Sequence, residues 1–183
     1  MASEGDGGGL EGFDFTTVAD YELGEDDIRK LLGNVRIITY PDLAKETLQT
    51  LFPSGDGLVV ILFLTESKVK GHWTCLSKKG NNVEYFDSYG IKPDGERAWL
   101  DKRERIELGE VRPLVHELLQ SHPGPVYYNE KKLQKGSVAT CGRHVVVRGW
   151  NLDLPISTYS KNLIATGNPD LTVCEETFKK IGK

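Results

Sequence analysis

The sequence predicts an α+β domain, and three observations carry that expectation. Leu58 to Leu64 is an unbroken run of seven apolar residues, which has the length of a strand and the pattern of one buried on both faces. Lys79-Gly80-Asn81-Asn82 is a hairpin signal between two more strand-like segments, Lys70–Lys78 and Val83–Asp87. Apolar residues at helical spacing recur on both sides of this centre.

The elements follow in order. Met1 to Gly12 holds five glycines and three acids with almost nothing to bury, so residues 1–12 read as a disordered leader and 13–183 as one domain. Phe13–Tyr21 is expected to pack loosely. Glu25–Leu32 predicts a helix, with acids in its first turn, Ile28, Leu31 and Leu32 on one face, and Gly33 as its stop. Val35–Tyr40 reads as a strand. Pro41–Phe52 predicts a helix with Pro at its first position and Leu43, Leu48 and Leu51 turned inward. After the apolar strand and the hairpin comes a charged connector, Pro93–Leu108. Glu110–Leu119 then reads as a helix through Val111, Val115, Leu118 and Leu119, and Val126–Asn129 as a short strand. Thr140–Trp150 is ambiguous: Val145, Val146 and Val147 favour a strand, while Thr140 is a helix-capping type. Ser157–Ile164 and Asp170–Ile181 read as two closing helices.

Composition narrows the class. A chain of 183 residues buries roughly 70% of its unfolded surface, enough for a core without disulfides or metals. No apolar run approaches the ~20 residues of a membrane span, no secretory apolar stretch lies near Met1, and the three cysteines are scattered. The expectation is a soluble intracellular protein rather than a membrane protein or a disulfide scaffold. The net charge of −4 is uneven. Residues 1–27 carry nine acids and no base, leaving 23 bases against 18 acids and a net +5 elsewhere. That balance is compatible with weak DNA contact, solvated surface lysines being the plainer reading.

The hairpin places chemistry. With the turn centred on Gly80-Asn81, Asp87 falls opposite Thr74, and His72 sits two residues away on the same face. His72 and Asp87 are then diagonal neighbours, ~7–8 Å apart at Cα and within side-chain reach, with Trp73, Cys75 and Phe86 on the other face. A carboxylate there fixes an imidazole's tautomer and stabilises its cation. Cys141 is the thiol left for this histidine to activate, and at a helix start the macrodipole favours an anion. Gly142 would let a substrate carbonyl approach the backbone, and Gln134 offers an amide as an oxyanion donor.

Gly71-His72-Trp73, then Tyr85-Phe86-Asp87-Ser88-Tyr89-Gly90, then Leu133-Gln134, then Thr140-Cys141-Gly142 resembles the adenain/Ulp1-like cysteine proteases. These include the adenovirus maturation protease, relatives in large DNA viruses and virophages, and the cellular deSUMOylating enzymes. The Phe-Asp-Ser-Tyr-Gly form is more similar to the viral branch. The resemblance implies a papain-like/Ulp1-like fold: a central mixed sheet, with the helix reading of 140–150 carrying the nucleophile. It implies Cys141 as nucleophile, His72 as base and then acid, Asp87 as its orienter, and Gln134 with the Cys141 N–H as oxyanion hole. Trp73 matches an aromatic that walls a narrow channel for glycine, although no second tryptophan precedes it.

The implied function is a viral-maturation endopeptidase that cuts capsid or core precursors after Gly-rich sites. The alternative is an isopeptidase acting on a ubiquitin- or SUMO-like modifier, and a third reading is an inactive binding module. The resemblance implies no cofactor and no metal, a monomer with a protein substrate and no membrane, and a place in the host cytoplasm, viral factory or particle. Gly8-Gly9-Leu10 is similar to a family cleavage site and suggests self-trimming. Each residue also has an ordinary reading: His72 as a structural histidine, Asp87 as a turn residue, Cys141 as core, Gln134 as a polar loop residue. His144 lacks an evident carboxylate partner in sequence and is not taken as the base. A zinc set of His72, Cys75, Cys141 and His144 lacks ligand spacing.

Overall fold

Five strands form one sheet in chain order: β1 (Arg36–Thr39), β2 (Gly57–Ser67), β3 (Lys70–Lys79), β4 (Asn82–Phe86) and β5 (Val126–Tyr128). The computed structural model describes residues 10–183; the expected trimming site at Gly8-Gly9 and most of the expected leader lie outside the described residues. β1 runs parallel to β2, β2–β3–β4 is an antiparallel meander, and β5 runs parallel to β4, so the sheet is mixed. The eight helices of the described residues are α1 (Phe15–Asp20), α2 (Glu25–Leu32), α3 (Leu48–Leu51), α4 (Lys102–Leu108), α5 (Leu114–Gln120), α6 (Cys141–Trp150), α7 (Ile156–Ala165) and α8 (Pro169–Ile181). The architecture is α+β, as the sequence predicts.

The apolar run explains the layering. Alternate residues of a strand face opposite sides, and β2 is covered on both. Val60, Leu62 and Leu64 join a core with Ile28 of α2, Val145 and Val146 of α6 and Val173 of α8. Val59, Ile61 and Phe63 join a second core with Tyr40, Leu43, Leu51, Leu114 and Val115. The turn pairs Lys79 with Asn82, and Cys75 with Phe86, the register expected from its centre at Gly80-Asn81.

Four segments depart from the sequence reading. Phe13–Tyr21 is not loose: Asp14 caps α1 by accepting from Thr17 N at 3.2 Å, and α1 buries Val18 and Ala19 against α8. Pro41–Phe52 is not one helix. A 3-10 turn over Tyr40–Lys45 ends at Glu46, and Thr47 starts α3 by capping Thr50 N at 3.2 Å, so a capping residue splits what apolar spacing had joined. The charged connector holds a 3-10 turn, Gly95–Trp99, and α4, whose Asp101 and Glu104 form a reciprocal capping box. The helix expected from Glu110 begins instead at Leu114, because Asp94 accepts from Val115 N at 3.0 Å and His116 N at 2.7 Å. Glu110 turns inward and accepts from Leu64 N of β2 at 2.7 Å.

Candidate active site

His72 leaves β3 where the chain has no room for a side chain before it. A Cβ on Gly71 would lie 1.8 Å from the Phe63 carbonyl oxygen, which accounts for the Gly-His pair. The ring is buried and fixed on several sides. Its Nε2 lies 2.9 Å from Asp87 Oδ2, Tyr89 stacks on it at 5.1 Å, and Trp99 meets it edge-on at 5.2 Å. The Cys141 thiol shares the same cleft wall as the ring.

The electrostatics follow from that setting. Burial pulls the His72 pKa down, but Asp87 and Cys141 together outweigh it and push the value up to about 10. That direction favours the charged form of the ring. Burial raises the Asp87 pKa and the bond with His72 lowers it, the net direction being down. Asp87 is further tied by Tyr89 N, which donates to Oδ1 at 2.6 Å, and by Asn129, whose amide pairs with both the backbone N–H and the carbonyl of Asp87. Asn129 follows β5, so the short parallel strand holds the carboxylate in place.

Cys141 opens α6 and is half-buried, whereas Cys75 and Cys174 are buried. No side chain caps this helix start, which leaves its first N–H groups beside the thiol. The Thr140 hydroxyl is engaged elsewhere, donating to Asp170 Oδ1 at 2.6 Å. Gln134 comes back to the site on a loop whose Leu133 and Gln134 N–H groups both bond the Ser88 carbonyl. Its Oε1 accepts from Ser88 Oγ at 2.6 Å, and its Nε2 donates to the Val138 carbonyl at 2.7 Å. One N–H of that amide remains for another acceptor. Gly90 makes the approach of this loop possible: its φ is +71°, and a Cβ there would lie 2.7 Å from the Lys131 carbonyl carbon.

A cleft of about 880 Å³ brings together His72, Trp73, Gln134 and Cys141, with Tyr89 and Trp99 also in its wall. Asp87 stands behind His72 rather than in the wall. Trp73 borders the cleft while its Nε1 donates to the Leu23 carbonyl at 2.8 Å. Gly142 is not in the wall. A Cβ there would sit 3.0 Å from Leu23 Cβ and 3.1 Å from Trp73 Cδ1, so this glycine lets α6 pack against Trp73.

Sequence reasoning missed several members. His144 does have a carboxylate partner: its Nε2 lies 3.0 Å from Asp170 Oδ1. Burial lowers the His144 pKa against the opposing effect of Asp170, and the residue is fully enclosed. Asp170 also accepts from Lys135 N at 3.0 Å, so one carboxylate joins the residue after Gln134 to the residue before Cys141. Trp99, 44% exposed, supplies a second tryptophan from downstream of the hairpin. The Tyr89 stack had a signal, an aromatic two residues from Asp87; Asn129 and Asp170 had none.

No family model matches the chain. Over 132 residues it is 37% identical to an uncharacterized protein, V9, of Sputnik virophage, an alignment covering 69% of this chain and 74% of that protein. Among the described residues no helix is long and apolar enough to cross a membrane.

Proposed function

We propose that this chain, which belongs to the family of the Sputnik virophage protein V9, is a papain-like cysteine endopeptidase that cleaves viral precursor proteins at Gly-rich sites. The observation that carries the reading is His72, bonded to the Asp87 carboxylate and sharing with the Cys141 thiol a cleft that Gln134 also lines. An imidazolium beside a thiolate is the charge arrangement a cysteine nucleophile uses. In the proposed reaction His72 takes the Cys141 thiol proton, the thiolate Sγ attacks the scissile carbonyl, and the carbonyl oxygen takes the negative charge. The free N–H of Gln134 and the Cys141 backbone N–H stabilise that oxygen. His72 gives its proton to the departing amine, leaving a thioester, and then takes a proton from the water that hydrolyses it. The relative from a virophage supports the viral branch. Trp73 and Trp99 on the cleft wall support a narrow channel suited to residues without side chains.

Intact mass after iodoacetamide treatment at pH 6 tests the reading. Rapid single labelling of Cys141, sharply slowed in His72→Ala, is the expected result, since Cys75 and Cys174 are buried. Slow labelling equal in both proteins would overturn it. Gly-Gly peptides and vinyl-sulfone derivatives of ubiquitin-like modifiers then separate the endopeptidase from a deconjugating enzyme.

A further inference from the structure

Behind the His72–Asp87 pair lies a second carboxyl group that the proposed reaction does not use. Glu96, in the 3-10 turn Gly95–Trp99, is 1% exposed. The Tyr85 hydroxyl donates to its Oε1. Trp99 of the same turn lies edge-on against the His72 ring, which sets Glu96 behind the pair, and Glu96 Oε2 is enclosed with no hydrogen-bond partner. Among the described residues no lysine or arginine pairs with Glu96. Between two carboxyl groups buried behind one histidine, with no cation on the outer one, the repulsion is relieved when one of them carries a proton.

The donors decide which. Asp87 receives His72 Nε2 on Oδ2 and Tyr89 N on Oδ1, the pattern of an anion with both oxygens supplied. Glu96 receives one hydroxyl and has one oxygen without a donor, the pattern of an acid whose second oxygen bears the hydrogen. We propose that Glu96 is a positioning residue of the His72–Asp87 pair, held as the neutral acid and donating its proton-bearing oxygen to the Asp87 carboxylate. The direction of its titration agrees, since burial and the neighbouring Asp87 both raise it well above the usual carboxylate range. The groups facing this pair are the Tyr85 hydroxyl and, around His72, the Tyr89 and Trp99 rings, the Cys141 thiol and, further off, His144. The donated bond keeps Asp87 anionic and fixes the oxygen that His72 meets. The consequence for turnover rests on the proposed protease reading, but the protonation state does not, and the test is chosen accordingly.

The titration of His72, followed by NMR of ¹³C-labelled histidine and assigned with His72→Asn, is compared in wild type, Glu96→Gln and Glu96→Leu. Gln keeps a neutral donor, so the midpoint of His72 is expected to stay where it is in wild type. Leu removes the donor, and Cys141 alkylation at pH 6 is expected to slow by about tenfold or more, as loss of a hydrogen bond to a charged group does. Infrared spectroscopy reads the proton itself. At pH 6 a protonated-carboxyl band is expected that survives Glu110→Gln, Glu110 being pushed up to about 7, and that Glu96→Gln removes. Absence of that band, or a His72 midpoint that falls by more than about one pH unit in Glu96→Gln as loss of an adjacent negative charge would cause, overturns the proposal.

Discussion

Cys141 and Gln134 carry unequal shares of the proposed chemistry, and substitution should separate them. Cys141→Ala is expected to abolish peptide hydrolysis while leaving the melting temperature near that of wild type, because the thiol is half-buried at a helix start, at the margin of the core. Gln134→Ala is expected to lower kcat by ~10²–10³ in steady-state assays, the range for loss of one oxyanion donor. Residue pairing was legible in sequence where a turn fixed it: the Gly80-Asn81 centre set the register that puts His72 beside Asp87. It was not legible where the partner arrives from another element. Asp170 lies 26 residues beyond His144, and no periodicity within either helix reports that distance.

At the scale of elements, α6 and β2 each expose a testable constraint. The Gly142→Ala change gains helix propensity of about 1 kcal/mol but sets a Cβ against Leu23 and Trp73, two residues already fixed to each other by the Trp73–Leu23 bond. Overpacking costs about 1–3 kcal/mol, so a lower melting temperature is expected, with a further loss of turnover as the helix start moves. Glu110 anchors the end of β2 through Leu64 N. Burial raises its pKa to about 7 against the smaller opposing effects of the Leu64 bond and Arg97. The unfolded chain therefore loses this proton at lower pH than the folded one, and stability falls as pH rises from the ordinary carboxylate range to about 7. Glu110→Gln keeps the acceptor for Leu64 N and removes the ionisation. Its stability relative to wild type should climb on the order of 2–3 kcal/mol over that window and then level off, as urea titrations at several pH values would measure. Strand positions were readable because an apolar run flanked by turns has one interpretation at this length. Pro41–Phe52 was not, because Thr47 serves equally as a helix residue and as a cap, and the choice depends on what Tyr40 and Leu43 pack against.

The whole molecule closes around α8. This helix packs on α1, α2, α6 and α7, and its first turn carries Asp170, which joins Thr140, His144 and Lys135. Removing that carboxylate leaves two buried groups, on Thr140 and His144, and the part-buried Lys135 N–H unmatched. Asp170→Ala is expected to destabilise the fold by about 3–5 kcal/mol and to loosen Gln134 and Cys141 together, so that kcat falls more than the stability loss explains at temperatures where the variant stays folded. Circular dichroism melts and kinetics on one sample check both effects. An acidic N-terminal stretch and a basic remainder could be counted from the sequence, but the convergence of two helices and a loop on one carboxylate is a property of the assembled chain.

The base and its carboxylate lie within a single hairpin, while the thiol opens a helix that follows β5. During synthesis the ribosome therefore releases His72 and Asp87 well before Cys141, and Cys141 before the helix that braces it. Under the proposed reading, a nascent chain holds no cutting power until α8 has docked. Order of emergence alone thus delays activity until α8 has left the ribosome and docked.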